Sequence, residues 1–142
     1  MVYLDASVLV PLYTPEPTSE AVERYVIAAD VVALSDLTIT EAQNAIIRKG
    51  LRGLLTFAEV SQALADIDRH LAELRFHRLA VERRHFQNAV ALSRSAPVHL
   101  RTLDALHLAV ALDCGALEMA TDDADLLAAA RAVGLRVFAA TA

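Results

Sequence analysis

Cysteine is nearly absent. Cys114 is the one thiol among 142 residues, so neither an internal disulfide nor a cysteine-based zinc cluster can form, and the chain suits a reducing cytoplasm. Four glycines and four prolines are too few for a collagen-like or low-complexity chain. With 56% apolar and 22% charged residues, intrinsic disorder is excluded as well. No apolar run approaches the ~18 residues that cross a bilayer, so no membrane partner is expected. The start, Met1 to Asp5, lacks the basic region and apolar core of a signal peptide. Aromatics are 5% of the chain with no tryptophan, which disfavours recognition of single strands by base stacking. Lys49 is the only lysine. What remains is one domain over residues 1–142, long enough to bury about two-thirds of its unfolded surface without staples.

The net charge of −5 argues against a polyanionic partner until its distribution is read. Residues 1–45 balance at −6, residues 46–101 at +5 and residues 102–142 at −4. A basic middle between acidic ends lets a polyanion dock on one face while acids elsewhere do other work.

Hydrophobic patterning places short apolar runs between amphipathic stretches. Strands are expected at Val2–Leu4, Val31–Leu34, Phe76–Ala80, Leu117–Ala120 and Leu135–Phe138. Helices are expected from Ser7 to Tyr13, Ser19 to Ala29, Asp36 to Gly50, Thr56 to Leu74, Glu82 to Ser93, Thr102 to Asp113 and Asp123 to Val133. Ser7 is expected to cap the first helix, and Gly115 to close the helix before it. Strands alternating with helices predict an α/β protein, a three-layer α/β/α sandwich around a mainly parallel sheet.

Binding sites in open parallel sheets form beyond the carboxyl ends of the strands. Asp5 ends the first strand, and Asp122 and Asp123 follow the fourth. Glu41 lies early in the helix after the second strand, and Asp104 opens the helix after the Pro97 break. Each has a plain alternative reading as a helix cap, a turn residue or a solvated side chain. Asp104, however, sits in the almost wholly apolar run Leu103 to Leu112, and Asp5 follows a buried strand. A carboxylate so placed is costly unless it is paired or ligates a cation. Converging carboxylates repel, and a hard cation such as Mg²⁺ or Mn²⁺ relieves that repulsion. Such an ion with open positions suits phosphodiester hydrolysis.

These segments resemble the PIN-domain family. The matching stretches are Tyr3-Leu4-Asp5-Ala6-Ser7, Thr40-Glu41-Ala42-Gln43-Asn44-Ala45, Leu103-Asp104-Ala105-Leu106-His107-Leu108-Ala109 and Thr121-Asp122-Asp123-Ala124-Asp125-Leu126. More narrowly, the chain resembles VapC-type toxins of toxin–antitoxin pairs, from Met1 to about Phe138 and with the motifs in family order. The resemblance implies a Mg²⁺- or Mn²⁺-dependent endoribonuclease blocked by a cognate antitoxin protein and commonly dimeric. It carries the acidic site onto Asp5, Glu41, Asp104 and Asp123, with Asp5, Asp104 and Asp123 as metal ligands. Glu41 completes the site or orients the attacking water. Asp122 crowds the fourth position. Ser7 and Thr121 match the supporting hydroxyls, and Asn44, one helical turn from Glu41, is a third supporting candidate.

Arg48, Lys49, Arg52 and Arg101 are the first candidates for RNA contact, with Arg75, Arg78, Arg83 and Arg84 behind them. Arg101 is equally suited to pairing with a site acid. His107 reads more simply as a packed core histidine. The stripe Phe57, Val60, Leu64, Ile67, Leu71 and Leu74 reads as mostly core, while Leu51, Leu54, Leu55 and Phe57 are candidates for exposed partner contacts. Two other enzyme-like readings are disfavoured by the residues present. A haloacid-dehalogenase-like phosphatase needs a second acid where Ser7 stands, and both it and a receiver-like domain need a second-half lysine. A catalytically silent PIN-like binding module stays open.

Overall fold

A computed structural model describes residues 1–141. Five short strands, β1 (Val2–Leu4), β2 (Val32–Ser35), β3 (His77–Leu79), β4 (Glu118–Ala120) and β5 (Arg136–Phe138), form one sheet in the order β3-β2-β1-β4-β5. Every pairing is parallel. The helices are α1 (Ala6–Leu9), α2 (Ser19–Ala28), α3 (Asp36–Leu51), α4 (Phe57–Ala72), α5 (Arg83–Ser95), α6 (Thr102–Asp113) and α7 (Ala124–Ala132). A 3-10 turn, Val10–Leu12, follows α1.

The pleat divides the core into two layers. Side chains alternate across a strand, so Val2, Leu4, Val32 and Leu34 join the cluster with Val8, Val22, Ile39, Ile46 and Ile67 of α1 to α4. Tyr3, Ala33 and Met119 point the other way, into the cluster with Ala89, Leu108, Leu126 and Ala130 of α5, α6 and α7. This is the expected α/β/α sandwich. Its middle strand, β1, is buried at all three residues.

The expected elements form with small shifts. The first helix is the main exception: Asp5, not Ser7, is its cap, accepting from the Ser7 N–H, and the segment tightens into the 3-10 turn at Val10 and Pro11. Ser35 caps α3 through Thr38 N–H, and Thr56 with Glu59 closes a capping box on α4. Gly115 stands at φ +74 just past α6, the left-handed position that ends a helix and suits glycine. Helix α6 is buried from Asp104 to Ala111. Since α6 precedes β4 in a parallel sheet, its N-terminus lies at the carboxyl edge of the strands, which delivers Asp104 to the side where Asp5 emerges. Among the described residues, no helix is long and apolar enough to cross a membrane.

Candidate active site

Asp5 is the first residue past β1, with its N–H bonded to the carbonyl of Ala120 at the end of β4. Its carboxylate is buried and held by three donors. Ser7 N–H and Ser7 Oγ donate to Oδ1 at 2.9 and 2.6 Å, and Thr121 Oγ1 donates to Oδ2 at 2.5 Å. Burial pushes the Asp5 carboxyl up, and the hydrogen bonds from Ser7 and Thr121 oppose that rise. Asp5 is therefore both a helix cap and a fixed acid at the centre of the sheet edge.

Thr121 and Ser7 bind the last acidic segment to the first. Thr121 Oγ1 also accepts the Asp123 N–H at 3.1 Å, and Ser7 Oγ accepts the Asp122 N–H at 2.9 Å. Asp123 caps α7 by accepting Leu126 N–H on Oδ1 at 2.9 Å, which leaves Oδ2 for the site. Asp122 turns away, its Oδ1 accepting from Thr141 N–H and Oγ1 at 3.1 Å. Of the two, Asp123 is the one whose side chain faces Arg101 and Asp104.

Asp104 sits in the first turn of α6 and is buried. Arg101 bridges it to Asp123: Nε donates to Asp104 Oδ2 at 3.0 Å, and a terminal nitrogen donates to Asp123 Oδ2 at 2.9 Å. Burial pushes the Asp104 carboxyl up, the Arg101 hydrogen bond holds it down, and the Asp123 charge adds to the rise. Arg101, expected at the RNA or on a site acid, is on the acids.

Glu41 reaches the site through a residue that reads from sequence as a core histidine. Its Oε1 lies 2.5 Å from Nε2 of His107, which is itself buried. On the other side of the ring, Nδ1 lies 2.7 Å from the Tyr3 hydroxyl. That hydroxyl lies 2.7 Å from Ser35 Oγ and accepts from Thr38 Oγ1 at 3.2 Å. Tyr3, Ser35 and Thr38 escape sequence reading because each is a strand or cap residue in isolation. The available signal was the register: Tyr3 pairs with Ala33 across β1 and β2, two residues before Ser35.

The other candidates separate from this group. Asn44 is exposed on α3, without a side-chain hydrogen bond to a site acid among the described residues. Lys49 pairs with Glu16. Arg75, Arg78 and Arg84 pair with Glu73, Asp36 and Asp113. Arg48 and Arg52 are exposed, but they lie seven and eleven residues beyond Glu41 on a helix that runs away from the carboxyl edge, roughly 10 and 16 Å along its axis. Charge alone does not place side chains around the acids; the direction of α3 does.

The donor set suits a hard cation: carboxylate oxygens, with the one nearby imidazole hydrogen-bonded at both nitrogens. Among the described residues, no three acid, histidine or cysteine side chains stand close enough together to hold an ion as they are arranged. The guanidinium of Arg101 stands in for a cation between Asp104 and Asp123. The residues fit a metal ion in their chemistry, with Arg101 in its place.

The PIN domain family model matches residues 2–132. The chain belongs to the PIN-domain family. Ribonuclease VapC46 of Mycobacterium tuberculosis (strain ATCC 25618 / H37Rv) is 34% identical over 142 residues, covering 97% of this chain and 96% of that protein, so this is a VapC-type PIN domain. Its fold recurs in the Mycobacterium tuberculosis toxin VapC20, described as cleaving the sarcin–ricin loop. The TM-score is 0.71 at 17% identity, over 95% of this chain and 96% of the other. It recurs also in a structure of FitAB bound to a DNA fragment, with a TM-score of 0.75 at 18% identity over 99% and 95% of the two chains. A third similar structure is VapBC2 of Rickettsia felis bound to DNA from its promoter, with a TM-score of 0.67 at 15% identity over 98% of each chain.

Proposed function

We propose that this PIN domain is a Mg²⁺- or Mn²⁺-dependent endoribonuclease, the toxin of a type II toxin–antitoxin pair. The observation that carries the reading is the convergence of Asp5, Asp104 and Asp123 at one sheet edge, two of them neutralised only by a guanidinium. Asp104, Asp123 and Asp5 would hold the ion. When bound, it supplies charge neutralisation at the phosphodiester and a more acidic water. Ser7 and Thr121 fix the Asp5 carboxylate, so its direction is set before substrate arrives. Glu41, held by His107 at one oxygen, keeps the other available to accept a proton from the attacking water. Arg101, Arg48 and Arg52 supply positive charge for the RNA backbone.

The reading extends to partners. Leu51, Leu54 and Phe57 at the α3–α4 turn are 83%, 69% and 89% exposed, an apolar surface that suits a helix of the antitoxin. Phe86 and Val90 on α5 and Leu103 and Leu112 on α6 are also exposed and suit a homodimer contact.

The test is cleavage of total cellular RNA by purified protein with Mn²⁺, with Mg²⁺ and with chelator, beside Asp5→Asn and Asp104→Asn. Discrete metal-dependent fragments absent from both variants are expected. Wild type and variants that leave every RNA equally intact would favour the second reading, a silent binding module. The seat of Arg101 between two acids is the feature that favours it.

A further inference from the structure

We propose that Arg101 is a built-in cationic plug of the acidic site, seated where a divalent ion would bridge Asp104 and Asp123, so that ion and side chain exclude each other. This rests on the metal-dependent reading above and adds to it an internal threshold for loading the ion.

The geometry is that of a bridge. An arginine paired with a single carboxylate commonly presents two nitrogens to it. Here the two donors go to different acids, Nε to Asp104 at 3.0 Å and a terminal nitrogen to Asp123 at 2.9 Å. The two side chains are only 11% and 27% exposed, so neighbouring negative charges that water solvates poorly share one cation. A divalent ion between them would do the same work with twice the charge. Both cannot occupy that point.

The plug is built to leave. Arg101's side chain is 72% exposed and fixed only by its tip. Its backbone is extended at the N-cap of α6, and its side chain makes no capping bond. Withdrawal therefore breaks two ion pairs whose guanidinium is exposed, and neither the helix nor the core. Because a guanidinium stays protonated under all ordinary conditions, it cannot vacate by losing its charge and has to be displaced. Once displaced, it stays at the rim of the site, where a backbone phosphate is its natural partner.

The experiment measures Mn²⁺ binding without RNA, by loss of the free-ion electron paramagnetic resonance signal. It compares wild type with Arg101→Gln, Arg101→Lys and Asp104→Asn. Two ion pairs to an exposed guanidinium, lost by the competitor, correspond to about three- to thirty-fold tighter binding in Arg101→Gln. Arg101→Lys should fall between, since it keeps the charge and loses the fork. Asp104→Asn should lose the ion. If wild type binds Mn²⁺, Asp104→Asn does not, and Arg101→Gln binds equally or more weakly than wild type, the plug is overturned and the metal site stands. If neither wild type nor Arg101→Gln binds, or Asp104→Asn binds as wild type does, the metal reading falls and the plug with it.

Discussion

Glu41 Oε1 lies 2.5 Å from His107 Nε2, joining the second turn of α3 to the middle of α6. A carboxylate only accepts, so the proton of this bond belongs to Nε2. On the far side of the ring, the buried Tyr3 phenol, pushed up by loss of solvent, lies 2.7 Å from Nδ1 and accepts from Thr38 Oγ1. Thr38 Oγ1 also lies 3.0 Å from the Leu4 carbonyl, one residue before Asp5. The histidine is thus an orienting strut between the first strand and Glu41.

Removing the strut should lower turnover more than it lowers RNA binding. His107→Gln and Tyr3→Phe are each expected to cut kcat about 10–100-fold with KM nearly unchanged. Tyr3→Phe also leaves partners unpaired in the core and should cost about 1–3 kcal/mol in urea unfolding. A KM effect without a kcat effect would contradict the positioning role.

Asp104→Asn should abolish most activity, at least about a hundred-fold, since several kcal/mol of charge stabilisation are asked of the ion it holds. Its effect on stability has the opposite sign. Burial raises the native Asp104 carboxyl above its ordinary value of 3.8, so the native state keeps that proton to higher pH than the unfolded chain does. The wild type therefore loses stability as pH rises from the ordinary value through the raised one. Without divalent ion, Asp104→Asn should be the more stable protein at neutral pH, with the difference shrinking as pH falls through that window. Thermal melts from pH 4 to 7 in chelator check this.

Thr121→Val should destabilise by about 1–3 kcal/mol, because the buried hydroxyl serves Asp5 Oδ2 and the Asp123 N–H together. Thr121→Ser keeps both bonds and should recover most of the loss. Denaturant midpoints for the pair separate the hydroxyl from the methyl group.

The turn between α3 and α4 should matter to a partner and not to the fold. Replacing Leu51, Leu54 and Phe57 with serine is expected to change stability by less than about 0.5 kcal/mol per site. Antitoxin affinity should fall more than about five-fold, since exposed apolar anchors carry much of such an interface. Calorimetry against the antitoxin, with RNA cleavage as the control for intact chemistry, checks it.

The fold was legible because each element carries its own signal. The almost wholly apolar stretch of α6, the amphipathic stripe of α4 and the short apolar run of β1 act within a few residues of themselves. The displaced cap shows the limit of that reading: Ser7 has the right chemistry, but Asp5 takes the role because the chain leaves β1 in an extended conformation at that residue. Asp5 and Asp104 were legible as acids in costly settings, Glu41 and Asp123 through the family resemblance, and the structure joins Asp5, Asp104 and Asp123 through Arg101 and Thr121.

The sequence by itself determined the alternation of strand and helix and the burial of β1, properties of residue type and spacing, while the full set of candidate acids came with the family resemblance. Only the tertiary structure decided that Arg101 bridges Asp104 to Asp123, that His107 supports Glu41 instead of merely packing, and that Arg48 and Arg52 stand far along α3 from the acids. Those facts depend on the parallel order β2-β1-β4 and on the direction in which each helix leaves the sheet. Hydrogen bonds spanning 22, 66 and 116 residues have no local signature, because distance along the chain says nothing about distance across the site.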